Sequence, residues 1–127
     1  MPYEAATFND FTLPAAGDLS SHQYKFMVVD ANGRGTVATS CTSVIIGILQ
    51  NKPSATDSPA RIRPAGNISK LKFGAAANEG AYLTSNEEGF GTATTQDMAH
   101  VGAIALHAPG GSGDIQDVLV VCMKHSG

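Results

Sequence analysis

The sequence predicts an all-β fold, a small β-sandwich or barrel-like domain of short strands carrying an extended N-terminal arm. Three observations predict it. Ala, Gly, Ser and Thr supply 52 of the 127 residues, which suits short strands and tight turns better than long amphipathic helices. Short apolar and β-branched runs recur between clusters of Gly, Pro, Asn and Asp, the punctuation of an antiparallel β fold. No stretch of helical length keeps an apolar face at a 3.6-residue period.

Residues 1–22 read as the arm. Tyr3, Phe8, Phe11 and Leu13 are scattered among Ala, Thr, Asp and Ser, with Pro2 and Pro14 and no Lys or Arg, so neither strand nor helix periodicity is sustained. From Tyr24 the pattern changes. Tyr24 to Val29 is a strand leading into Asn32-Gly33, a tight-turn pair because both residues tolerate positive φ, and a strand follows near Thr36. Val44 to Leu49, apolar on both faces, reads as a buried central strand, with Gly47 marking a bulge or a close backbone approach. The loop from Lys52 to Pro59 ends it. Ala60 to Arg63 and Ile68 to Phe73 alternate, the second placing Lys70 and Lys72 on one face and Leu71 and Phe73 on the other. Ala81 to Thr84, Gly91 to Thr95 and Val101 to His107 are further strands between turns. Ile115 to Met123 is a long final strand, apolar on both faces from Val118. No internal sequence repeat is evident, which disfavours a solenoid.

At 127 residues the chain is one domain, expected over residues 23–127 behind the arm,. Its core is thin, since Leu, Ile, Val and Phe together are only 27 residues. Such a domain has little stability to spare and is expected to bury further surface against copies of itself or a partner. The net charge is −3 with eight basic residues, which leaves no field for nucleic acid. All of that charge comes from Glu4, Asp10 and Asp18, so the arm is acidic and the body neutral. Apolar stretches of six residues are far too short to span a bilayer. The N-terminus has no basic and apolar leader, so the chain is expected to stay in the reducing compartment where it is made, with Cys41 and Cys122 as buried thiols.

Candidate chemistry fails residue by residue. Gly33-x-Gly35-x-x-Ala38 lacks the helix that a dinucleotide fingerprint requires. Asp30-x-Asn32-x-Arg34 would put a cation against a cation in a calcium loop. Gly110-Gly111-Ser112-Gly113 is a turn rather than a nucleophile elbow. His22, His100, His107 and His125 have no metal-ligand spacing, and the adjacent Glu87 and Glu88 lie in a turn. No catalytic, metal or cofactor site is expected, and the chain is not expected to be an enzyme.

The order of these segments resembles a known family. Val44-Ile-Ile-Gly-Ile-Leu-Gln-Asn-Lys-Pro53, Ala60-Arg-Ile-Arg63, Gly66-Asn-Ile-Ser-Lys70, Gly80-Ala-Tyr-Leu-Thr-Ser-Asn-Glu-Glu-Gly89, Gly102-Ala-Ile-Ala-Leu106 and Gly113-Asp-Ile115 together resemble the capsid decoration (cement) proteins of tailed bacteriophages, over about Val28 to Val121. The resemblance implies a β-rich homotrimer on the outer surface of an icosahedral head, made in the host cytoplasm, binding the major capsid protein and stabilising contacts between capsomers. A virion-displayed glycan-binding or host-attachment module is the alternative, disfavoured by the lack of Trp and the scarcity of loop aromatics. The arm is the expected shell contact. Tyr3, Phe8, Phe11 and Leu13 would serve as apolar anchors, and Glu4, Asp10 and Asp18 would face basic side chains.

Overall fold

The computed structural model describes residues 10–94 and 99–124. Among them are ten strands: β1 (Phe11–Pro14), β2 (Phe26–Val29), β3 (Gly35–Val37), β4 (Gly47–Leu49), β5 (Pro59–Arg63), β6 (Ile68–Lys72), β7 (Tyr82–Ser85), β8 (Gly91–Ala93), β9 (His100–Ala105) and β10 (Ile115–Lys124). They form two five-stranded antiparallel sheets, ordered β1-β5-β4-β2-β3 and β6-β10-β9-β7-β8. The fold is a small all-β sandwich, as the composition and turn spacing require.

Each sheet curls until its two edge strands meet. Ala15, just after β1, bridges Gly35 at the start of β3, and Phe73, just after β6, bridges Gly91 at the start of β8. One apolar cluster fills the first sheet with Ala15, Leu19, Met27, Leu49, Ala60 and Ile62. A second, larger one joins Phe26 and Ile48 of the first sheet, with Ile45 just before β4, to Leu71, Leu83, Val118 and Val120 of the second, with Phe73 just after β6. Burying these side chains drives folding at roughly 25 cal/mol per Å² of apolar surface removed from water.

The two sheets are the same structure twice. Phe26 opposite Ile48 and Met27 opposite Gly47 recur as Tyr82 opposite Ile104 and Leu83 opposite Ala103, and Leu49 opposite Ile62 recurs as Ala105 opposite Val118. The turns repeat as well. The Asp30 carboxylate accepts from the N–H groups of Asn32 and Arg34, and the Asn86 side-chain oxygen accepts from those of Glu88 and Phe90. Three pairs of residues share positive φ, namely Tyr24 with Gly80, Gly33 with Gly89, and Asp57 with Gly113. The repeat absent from the sequence is therefore present in the backbone. Few side chains recur, because a capping oxygen comes equally from Asp or Asn, and two of the left-handed positions filled by Gly80 and Gly113 in one half are held by Tyr24 and Asp57 in the other.

Four expectations are corrected. Residues 10–22 are not a separate arm: β1 pairs with β5 from Phe11 opposite Ile62 to Pro14 opposite Pro59, and Ala15 and Leu19 are buried. Four strand residues are too few for periodicity to reveal, and their partner lies some fifty positions away. The expected six-residue central strand is only β4, with Val44 67% exposed. Gly47 does make the close approach expected of it, since a Cβ there would fall onto the Arg63 carbonyl oxygen. Cys41 is half-buried and Cys122 exposed, because β10 shifts register between Val120 and Met123.

Candidate interaction surfaces

Of the seven residues expected to meet a shell, Tyr3, Glu4 and Phe8 lie outside the described residues. Asp10 is engaged within its own chain. The Arg63 guanidinium donates to both of its oxygens at 2.9 and 3.1 Å, and Arg61 Nε stands 3.3 Å away. This forked pairing is the strong geometry for an arginine and a carboxylate. It fastens the start of β1 to β5. Phe11 is 36% exposed, whereas Leu13 packs against the first core cluster. Asp18 accepts from the Ser20 hydroxyl and N–H at 2.6 and 3.0 Å, and those bonds hold its carboxyl below the usual range. The four described residues are therefore not gathered on one face.

A different apolar surface is present. In the second sheet Ile68 stands opposite Leu119, Leu119 opposite Ile104, and Ile104 opposite Tyr82. Directly opposed residues share a face, so the four side chains form a row across β6, β10, β9 and β7. Ile68 is 50% and Tyr82 41% exposed. Leu106 and Ile115, also exposed, flank the row, with the Lys70–Asp117 pair beside it. The sequence did carry a signal for it. A strand apolar on both faces, as β10 reads from Val118, has a second face to cover.

Two grooves on the described surface bear on this. One, of about 510 Å³, is lined by Ala77, Gly80, Ala81, Tyr82, Ala93 and Thr94. The other, of about 370 Å³, is lined by Val28, Val29, Ser43, Val44 and Ile46. Neither groove has a titratable side chain capable of acid–base work in its lining apart from the Tyr82 phenol. His100 Nδ1 accepts from the Ile45 N–H at 3.3 Å. His22 Nδ1 accepts from Lys25 Nζ at 2.9 Å, and that ammonium also sits 4.5 Å over the Phe90 ring. Among the described residues no three His, Cys, Asp or Glu side chains converge as a metal site.

No family model matches the sequence, and no curated protein matches it. A solved structure does match the fold: the head fiber gp8.5 N base of bacteriophage phi29, with a TM-score of 0.71, 14% identity, and coverage of 93% of this chain and 98% of that one. At that identity the likeness is one of fold, and it extends over nearly the whole of both chains.

Proposed function

We propose that this chain is a non-enzymatic structural protein of a phage virion, held on the outer surface of the icosahedral head as a homotrimer that bridges neighbouring major capsid protein capsomers. The observation that carries this reading is the end-to-end likeness to a phage head-fiber base, joined to the order of segments that resembles decoration proteins. Physical chemistry supports it. A trimer seated across a junction must leave several subunits at once, so modest contacts give slow dissociation. The near-neutral body limits repulsion between densely placed copies. Of the two described apolar anchors of the N-terminal segment, Phe11 is exposed and can reach a shell, whereas Leu13 packs on the core; Asp10 and Asp18 are already bonded within the chain.

Purified undecorated heads of the phage that encodes the chain, imaged by cryo-electron microscopy with and without added protein, test the reading. Threefold density on the outer surface is expected. Heads that stay bare at saturating protein would overturn it.

A further inference from the structure

The first half of the chain is plugged into the second, and most of the corresponding plug and socket lines grooves on the surface. Phe26 and Ile45 lie over Gly102, where a Cβ would come within 2.7 Å of the Phe26 ring and 3.0 Å of Ile45. Around them the Phe26 N–H donates to the Gly89 carbonyl at 2.9 Å, and the Cys41 carbonyl accepts from the His100 N–H at 2.6 Å and from the Thr84 hydroxyl at 3.4 Å. Val37 and Lys25 crowd Gly89. Lys25, Phe26, Val37, Ala38 and Ile45 are thus the plug, and Thr84, Gly89, His100 and Gly102 the socket.

The backbone repeat converts each residue into its counterpart. The socket of the first half is Val28, Gly33, Val44 and Ile46, and three of these line the 370 Å³ groove. The plug of the second half is Ala81, Tyr82, Ala93, Thr94 and Val101; the first four line the 510 Å³ groove, and Val101 is buried. Gly89 is covered, whereas nothing lies within 4 Å of a Cβ built on Gly33. The side chains reverse the ordinary rule of burial. Where the covered socket has Thr84, Ser85, His100 and Gly102, the surface one has Val28, Val29, Val44 and Ile46. Apolar groups more numerous on the exposed copy than on the buried one mark a surface that is covered in use. Ile46 makes that socket shallower than the one Gly102 provides, and a tyrosine, with a polar tip left at the rim, suits it better than Phe26 would.

We infer that the chain associates with itself head to tail, Tyr82 of one copy seated in the Val28–Val44–Ile46 groove of the next. The contact between copies imitates the contact between halves, and a heterologous contact of this kind closes into a ring when its rotation permits. The inference rests on the proposed homotrimer for the number of copies and is independent of the shell.

Light scattering after size exclusion tests it with Val44→Glu and Tyr82→Glu, both at exposed positions and alike in charge, so that the two altered surfaces repel. The unaltered chain should run at three times its 13.1 kDa mass. Each variant alone should fall to one chain. Mixed in equal amounts they should form a dimer and stop, because one intact plug and one intact socket remain. Should either lose the parent circular-dichroism spectrum, Val44→Ser and Tyr82→Ser carry the same test. A parent protein of one or two chains, variants that keep the parent mass, or a mixture that stays monomeric would each overturn the inference. Heads are assayed separately: rings that leave heads bare sink the capsid reading alone, and single chains that coat heads sink the ring alone.

Discussion

Gly47 and Ala103 hold the same place in the two halves, opposite Met27 and Leu83, yet Gly47 has no room for the methyl group that Ala103 carries. A Cβ on Gly47 would strike the Arg63 carbonyl oxygen and come within 2.7 Å of Ile62 Cγ2. Backbone cannot move aside as a flexible side chain can. Gly47→Ala is therefore expected to lower the unfolding free energy by about 3 kcal/mol, read from denaturant midpoints. A change below about 0.5 kcal/mol would mean that the approach relaxes at no cost.

Phe26 and Tyr82 are a second pair of counterparts with opposite surroundings. Phe26 is fully buried between the halves, whereas Tyr82 is exposed. Phe26→Ala should cost about 3–5 kcal/mol. Tyr82→Ala should cost the single chain about 1 kcal/mol. Equal losses at the two positions would contradict the burial difference.

Residues 10–22 are expected to be part of the stable body. Leu19→Ala should cost about 2–4 kcal/mol by leaving a hole beside Met27 and Leu49,. Deletion of residues 1–22 should abolish cooperative unfolding, since it removes β1, Ala15, Leu19 and the Asp10 partner of Arg63. A truncated protein that melts like the full chain would return this segment to the status of a tail.

His22 links stability to pH. Burial first, and then the Lys25 charge, hold its imidazole below the ordinary value of 6.5, and the bond from Lys25 Nζ needs Nδ1 unprotonated. The unfolded chain takes up a proton near pH 6.5 that the folded chain accepts only at lower pH. Stability contributed here is complete above that value and declines as pH falls toward the folded one. Comparing midpoints at pH 8 and 5, the parent should lose more than His22→Gln, which keeps an acceptor without titrating. Parallel losses would remove His22 from the account.

How much of this was legible in the sequence depended on what carried each feature. Strand alternation was readable where one face met water, as in Ser69, Leu71 and their exposed neighbours Lys70 and Ile68. Val44 misled, because hydrophobicity states a preference for burial and not which surface supplies it. β1 was hidden since its partner comes from long-range pairing, and Cys122 since a register shift follows Val120. The duplication was hidden most deeply. Asp30 and Asn86 do one task with different side chains, and the φ values of Asp57 and Gly113 leave no common letter. The row from Ile68 to Tyr82 needed the register of four strands, which no local pattern contains.

The bridges Ala15–Gly35 and Phe73–Gly91 bear on a hazard common to β proteins. An open sheet edge can template the addition of further strands, the route to cross-β fibrils. Here β1 meets β3 and β6 meets β8, and the strands at those seams are three to five residues long. A chain rich in β-branched and small residues, and low in charge, would otherwise be a candidate for such growth. With its ladder ends turned toward each other, association is left to side chains, where surface shape and chemistry can choose the partner and fix the number of copies.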